Sequence, residues 1–266
     1  MVESAENQTT AAGVEAPGAP GAVRSDGASW ATPVARLTVG EVPEGATNLN
    51  VAGRRLVGPL QGFGQLWQKT YRVRLEGNAI TPSDVIREWK ANYSSLWPKG
   101  NRFYAPVIAP GEVALINAQS LGGVRVSTGI RVIYADDESF AFMNAAGHPA
   151  AGMVTFSAAR QDDGTYAQVQ LLIRANDPFY DLMLPIYGQR AEDEIWMHTL
   201  RALAQHLGAP VSDVSVERAL VDRRRNWSEA KNIWQNAAIR SGIYMAAAPV
   251  RWVRRLVRRS PRQSND

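Results

Sequence analysis

Three strand-like segments joined by two short turns, within residues 140–173, restrict the possible folds of this chain more than any other part of it. A Gly-His-Pro turn at residues 147–149 separates the first two segments, and an Asp-Gly turn at residues 163–164 separates the second from the third. Asp-Gly is a strong hairpin signal, and strands joined by such short connections pair antiparallel. The segment therefore predicts an antiparallel meander.

A long apolar helix is predicted directly after the meander. Asp177 is a suitable N-cap, and Pro178 suits the first helical position. Apolar residues then recur with helical spacing as far as Leu207, and Gly208 ends the pattern. Pro185 lies inside this stretch and predicts a kink or a break beside it.

Upstream of the meander the sequence predicts one strand, one helix and three more strands. Residues 67–75 alternate apolar and polar side chains, as a half-buried strand does. Thr81 and Asp84 have capping-box spacing and predict that a helix starts between them. Three further strands follow within residues 102–134. This order is an α+β pattern, which a curved antiparallel sheet wrapped around the long C-terminal helix satisfies.

With this order of elements, the chain resembles the SRPBCC superfamily, also called START-like or Bet v 1-like, whose fold is the helix-grip. Within it the sequence is most similar to an uncharacterised domain-of-unknown-function family with a Gly-His-Pro turn, although Met153 stands where that family often has an acidic residue. The resemblance covers residues 62–208 and is carried by Phe140, Phe142, Gly147, His148, Pro149, Gly152, Phe156, Asp163, Gly164, Thr165, Asp177 and Pro178. It implies a cavity between sheet and helix that holds apolar or amphipathic molecules. Members of the superfamily include lipid carriers, hormone receptors, cyclases and aromatic oxygenases, so the fold alone does not select a function.

Composition divides the remainder of the chain into segments on either side of this ligand-binding domain. Residues 1–30 are rich in Ala, Gly and Pro and predict a disordered tail, and residues 31–61 predict an irregular lead-in. Residues 209–245 predict a helical extension, and residues 246–266 predict a basic amphipathic tail.

The positive charge of the chain is concentrated near its C-terminus. Residues 217–266 carry 12 Arg and Lys against 4 Asp and Glu, whereas the remainder carries 17 against 21. A basic amphipathic helix of this kind is typical of an anionic membrane surface. The predicted membrane-binding residues are Arg251, Trp252, Arg254, Arg255, Arg258 and Arg259. A solvated tail and a helix docked on another subunit are the alternatives, and nucleic acid is not expected because the basic residues are confined to one tail.

The candidate ligand-binding residues belong to the elements that would enclose the cavity. They are Trp89, Phe142, Met143, His148, Met183, Tyr187 and Arg190. Core packing is the alternative for the apolar and aromatic members. His148 is either a turn residue bonded to the backbone or a polar group at the cavity mouth. Arg190 is either an ion-pair partner of Glu194 or an anion clamp.

Several classes of function are excluded or not predicted. The chain has no cysteine, which excludes disulfides, cysteine nucleophiles and cysteine-ligated metals. Glu194 and His198 share a helical face but supply too few ligands, so no metal and no cofactor are predicted. The sequence lacks a secretory signal pattern and an 18-residue apolar run, so we expect a cytoplasmic protein, peripheral to the membrane if the tail binds lipid.

The sequence therefore predicts binding or transport of a hydrophobic or amphipathic small molecule, lipid-like or aromatic, in a cavity between sheet and helix. An enzyme of the cyclase or dehydratase type that uses the same cavity is one alternative. A structural interaction module with a filled core is the other. The sequence names neither a ligand nor a reaction.

Overall fold

The computed structural model describes residues 26–76, 80–119, 125–161, 164–183, 189–210 and 213–248. Its strands are β1 (Leu56–Val57), β2 (Leu66–Leu75), β3 (Arg102–Tyr104), β4 (Val113–Gln119), β5 (Arg125–Ala135), β6 (Ser139–Ala145), β7 (Ala150–Gln161), β8 (Gly164–Ala175) and β9 (Ser215–Asp222). Its α-helices are α1 (Pro82–Asn92), α2 (Pro178–Met183), α3 (Gln189–His206) and α4 (Ala237–Ala246). Short 3-10 helices span Asp26–Ser29, Pro59–Gln61, Tyr93–Leu96 and Trp227–Gln235.

The described strands form one antiparallel sheet in the order β3-β4-β5-β6-β7-β8-β2-β9, with β1 paired to β6. The run from β3 to β8 follows the chain, as expected for a meander. Strand β2 pairs with β8 from Trp67 opposite Ile173 to Leu75 opposite Thr165. Strand β2 therefore lies beside β8, the last strand of the meander, and helices lie between and after these two strands in the chain. This arrangement confirms the predicted α+β helix-grip architecture.

Both helix starts predicted from the sequence are confirmed. The Thr81 hydroxyl accepts a hydrogen bond from the Asp84 amide at 3.2 Å, and the Asp84 carboxylate accepts one from the Thr81 amide at 3.4 Å. The Asp177 carboxylate accepts from the amides of Phe179 at 2.9 Å and Tyr180 at 3.1 Å and caps α2. Each cap satisfies amides that the first helical turn leaves unpaired, which contributes about 1 kcal/mol.

The region predicted as one long helix contains two described helices. Helix α2 ends at Met183 and α3 begins at Gln189. Pro185 and Tyr187 lie between them, outside the described residues.

One face of the sheet, here called the inner face, packs against α1 and α3 and carries the main hydrophobic core. At its centre is an aromatic cluster whose members are at most 9% exposed: Trp89, Tyr93, Phe103, Phe140, Phe142, Phe156 and Trp196. The Phe156 ring lies 4.5 Å from that of Phe140, 5.2 Å from that of Trp89 and 5.8 Å from that of Trp196, measured between centroids. Buried aromatic pairs contribute about 0.5–1.5 kcal/mol each beyond their area, so the cluster fastens both helices to the sheet.

The C-terminal extension, predicted to be helical, begins with a strand. Residues Ser215–Asp222 pair antiparallel with β2, and helical structure resumes only at Trp227. Without β9, β2 would be an edge strand with unpaired backbone groups, which favours the addition of a further strand. The helical prediction is therefore wrong for this stretch, because pairing with a distant strand decided its structure.

Other predictions fall where the structure gives no description. Residues 1–25, including most of the predicted disordered tail, lie outside the described residues, and so does the predicted membrane-binding set of Arg251, Trp252, Arg254, Arg255, Arg258 and Arg259. Within the described ranges, none of the helices has the length and apolar character needed to cross a membrane.

Candidate ligand site between the sheet and the long helix

Two of the predicted ligand-binding residues, Trp89 and Phe142, lie together in the aromatic cluster. Trp89 is fully buried and Phe142 is 3% exposed. The Phe140 ring lies between them, 5.8 Å from Trp89 and 5.4 Å from Phe142. Both residues therefore pack against other rings, and this end of the interior is filled by side chains.

Met143 and Met183 do not lie with Trp89 and Phe142 in the aromatic cluster. Met143 follows Phe142 on β6, and consecutive strand residues point to opposite faces. Its Cε lies 3.9 Å from the Cβ position of Gly58, so it packs beside β1 rather than in the aromatic cluster. Met183 is half-buried at the end of α2, and Tyr187 lies outside the described residues. Arg190 is exposed in the first turn of α3.

His148 lies at the turn between β6 and β7, where the C-terminal extension packs. Its Nδ1 is 3.1 Å from both the amide nitrogen and the carbonyl oxygen of Ala150. The neighbouring Gly147 carbonyl accepts from the Ala237 amide at 2.9 Å, which ties the turn to α4. Burial lowers the pKa of His148 to about 4, so the ring is neutral at pH 7. These contacts are those of a turn residue bonded to the backbone.

A polar cluster that the sequence analysis did not select lies between β2 and the first turns of α3. The Lys69 ammonium donates to the Glu192 carboxylate at 3.0 Å, and the Tyr71 hydroxyl donates to Asp193 at 2.5 Å. Arg218 of β9 donates to the other oxygen of Asp193 at 2.6 Å. Lys69 and Tyr71 share the inner face with the core residues of β2, so the interior has an aromatic end and a polar end.

Burial dominates the electrostatics of the polar cluster. It raises the pKa of Glu192, although the Lys69 ammonium acts in the opposite direction. The pKa of Tyr71 is also raised, first by burial and then by the neighbouring Glu192 and Asp193 carboxylates. The Tyr71 phenol is therefore a permanent hydrogen-bond donor at neutral pH.

Two buried polar atoms of α3 lack a hydrogen-bond partner among the described residues. They are Glu192 Oε1 and Trp196 Nε1. The two residues are four positions apart on the helix, so they lie on the same face. Trp89 Nε1, across the aromatic cluster, also has no hydrogen-bond partner within the described ranges. Unpaired buried groups of this kind cost about 1–3 kcal/mol each, and a ligand that pairs with them recovers this cost.

One signal in the sequence marks the polar cluster. In β2 the inward positions are otherwise apolar or aromatic, as at Tyr71, Val73 and Leu75, and Lys69 is a charged residue in the same alternation. A charge at an inward strand position requires a partner, which points to an acidic residue on whichever element covers the sheet. The sequence alone does not say that Glu192 supplies it.

A surface cleft of about 330 Å³ lies between α3 and Pro98 and includes Glu194 and His198. These are the two residues with metal-ligand spacing. In the part of the chain that the structure describes, no group of three or more His, Asp or Glu side chains forms a metal-binding set.

Neither a protein-family model nor a curated protein matches the sequence. The similar solved structures include NE0264 from Nitrosomonas europaea, at 12% identity and a TM-score of 0.39, covering 53% of this chain and 94% of that chain. The di-domain ARO/CYC StfQ from the steffimycin biosynthetic pathway is 11% identical, with a TM-score of 0.43, over 55% of this chain and 53% of that chain.

Ara h 8.0201 is also similar, at 12% identity and a TM-score of 0.37, over 53% of this chain and 97% of that chain. The similarity of these proteins to this chain is one of fold alone, and at these identities and TM-scores it carries no conclusion about function. The resemblance to one family with a Gly-His-Pro turn stays a prediction.

Proposed function

We propose that this protein binds a small amphipathic molecule between the inner face of the sheet and α3. The observation that carries the proposal is the pair Glu192 Oε1 and Trp196 Nε1, buried one helical turn apart with no hydrogen-bond partner in the described part of the chain. The carboxylate accepts a hydrogen bond and the indole N–H donates one. A ligand group that both donates and accepts, such as a hydroxyl or an amide, matches them.

The surroundings of the two atoms favour a ligand with one polar and one apolar end. Lys69 and Tyr71 lie toward the polar end, whereas Phe156, 5.8 Å from Trp196, belongs to the aromatic end. Apolar lining with a few convergent polar groups is the usual composition of small-molecule sites. Trp89 and Phe142 act in this proposal as the packed wall of the site.

The test uses 1-anilinonaphthalene-8-sulfonate as an amphipathic probe and native mass spectrometry of the purified full chain. We expect saturable binding of one probe molecule, or a co-purified small molecule of defined mass. Trp196→Phe keeps the ring packing and removes the indole donor, so it should weaken binding about fivefold, as expected for the loss of about 1 kcal/mol. Glu192→Gln keeps the side-chain size and should also weaken binding.

Two matched variants serve as controls. Glu194→Gln changes an exposed carboxylate on the same helix, and Trp234→Phe changes an indole that is 83% exposed. Neither should alter probe binding. Equal affinities for Trp196→Phe and Trp234→Phe, or no saturable binding at all, would contradict the proposal.

A second function, attachment to an anionic membrane surface, is favoured by the apolar side chains that the extension exposes. Trp227 is 73% exposed, Trp234 83% and Ile243 65%. Tryptophan favours the boundary between lipid and water, and the predicted basic tail follows α4 directly. A chain ending at residue 249 should sediment less with phosphatidylglycerol vesicles than the full chain does, and so should Trp234→Ala. Unchanged sedimentation of both variants would refute this role.

A further inference from the structure

Four arginines line a second surface cleft, at the junction of the N-terminal lead-in and α4. The cleft has a volume of about 580 Å³ and includes Arg36, Arg54, Arg55 and Arg240. Three of these residues precede β2 and the fourth lies on α4, so the cleft forms only in the folded chain. Its volume lies in the range of small-molecule sites, about 300–1,000 Å³.

Hydrogen bonds fix two of these arginines at the cleft. Arg36 Nη1 donates to the Gly53 carbonyl oxygen at 2.8 Å, and Arg240 Nε donates to Asn50 Oδ1 at 2.9 Å. Asn50 is 1% exposed and in turn donates to the Ser127 carbonyl oxygen at 2.8 Å. Arg240 is therefore held by a buried amide anchored to the sheet, and its remaining donors are available to a ligand. Such preorganisation lowers the entropy that binding costs.

The positive charge of the cleft is poorly compensated. Arg55 lies 3.7 Å from the Glu229 carboxylate. Within the described ranges, no carboxylate oxygen lies within 4 Å of the guanidinium nitrogens of Arg36, Arg54 or Arg240. Partial burial and repulsion by Arg240 both lower the pKa of Arg54. An anion would relieve this repulsion.

We propose that this cleft binds the phosphate group of a phosphorylated small molecule or of a phospholipid headgroup. A guanidinium group pairs with two oxygens at once, and a phosphate monoester, as in glycerol 3-phosphate or phosphatidic acid, offers three terminal oxygens and up to two charges. Several arginines can therefore share one phosphate, whereas a single carboxylate has two oxygens. This site lies outside the space between the sheet and α3 and does not depend on the function proposed above.

The experiment has one arm for each source of phosphate. In the first, isothermal titration calorimetry measures binding of glycerol 3-phosphate to the full chain, with acetate as the monovalent control. In the second, the full chain is sedimented with phosphatidylcholine vesicles that contain or lack phosphatidic acid. Every variant keeps the C-terminal tail, so differences between variants report on the cleft.

Arg54→Gln and Arg240→Gln should each weaken binding about tenfold, because each removes a charged donor. Arg36→Gln, at an exposed position in the cleft, is a third variant and should also weaken binding. Circular dichroism checks that each variant is folded. Arg224→Gln is the matched control, because that side chain is 90% exposed and lies outside the cleft. It should bind as the unchanged protein does.

Binding of glycerol 3-phosphate that the cleft variants weaken and Arg224→Gln does not would identify a soluble phosphate ester as the ligand. The same pattern seen only with phosphatidic acid vesicles would identify a lipid headgroup. Absence of binding in both arms would overturn the proposal. Equal binding by the cleft variants and Arg224→Gln, or equal binding of acetate and glycerol 3-phosphate, would also overturn it.

Discussion

Mild acid should destabilise this protein through His148, because the folded chain holds that imidazole in its neutral form. The ring lies in the turn between β6 and β7, partly buried and in contact with the backbone of Ala150. Its pKa falls from 6.5 to about 4 because burial disfavours the charged ring. In the unfolded chain the same ring is exposed to water and titrates near 6.5.

The sign and the magnitude follow from linkage between protonation and folding. Between pH 6.5 and about 4 the unfolded chain binds the proton and the folded chain does not. Stability contributed by this group is therefore present above pH 6.5 and is lost as the pH falls through this window. The full difference corresponds to about 3 kcal/mol at 1.36 kcal/mol per pKa unit. About 2 kcal/mol of it should disappear between pH 7 and pH 5.

Urea unfolding at pH 7 and pH 5 measures this loss. His148→Asn offers a neutral oxygen near the position of Nδ1 and cannot take up the proton. Its free energy of unfolding should therefore fall by about 2 kcal/mol less than that of the unchanged protein over the same interval. His198→Asn, at an exposed position on α3, is the matched control. If His148→Asn and the unchanged protein lose equal stability between the two pH values, the reasoning is refuted.

Three single variants and one double variant test other parts of the structure by urea unfolding at pH 7. Gly147→Ala should lower the free energy of unfolding by about 3 kcal/mol, because φ at this position is +95° and the new Cβ would lie 2.0 Å from the Gln235 carbonyl oxygen. Wild-type stability in this variant would show that the extension does not pack on the turn. Lys69→Met should lower the free energy of unfolding by about 3 kcal/mol, because it leaves the Glu192 carboxylate without its cation. Adding Glu192→Leu should restore most of this stability. A double variant as unstable as Lys69→Met would contradict the ion-pair argument. Thr81→Ala should cost about 1 kcal/mol through the lost cap of α1, and no change would mean that water replaces the cap.

The features predicted correctly are those that depend on neighbouring residues. A capping box spans four residues, and Thr81 and Asp84 contain the whole of it. The meander likewise depends on strand alternation and on short turns, and β6, β7 and β8 follow each other in the sheet as they do in the sequence. Features of this kind can be predicted because the residues that form them are close together in the sequence.

The features that were missed depend on pairs of residues far apart in the chain. Strand β9 forms because β2 has an unpaired edge, and β2 lies more than 130 residues upstream. The residues Ser215–Asp222 alone do not reveal that this edge exists. The polar cluster requires Lys69 and Glu192 to meet, which depends on the register of α3 over the sheet. The arginine cleft joins Arg54 to Arg240 in the same non-local way.

The extension is bound to the sheet and to α2 by buried polar contacts, which makes it part of the same structure. Asn236 caps α4 through the Ile239 amide at 3.0 Å, and its side-chain amide donates to Asp177, the cap of α2, at 2.9 Å. Asn232 donates to the carbonyl oxygens of Gln61 at 2.8 Å and Asn176 at 3.1 Å. Removing the extension would leave the buried Asp177 carboxylate without this partner and would expose the edge of β2. Because unpaired buried groups are costly, loss of the extension should lower the free energy of unfolding, and it would also remove Arg240 from the arginine cleft.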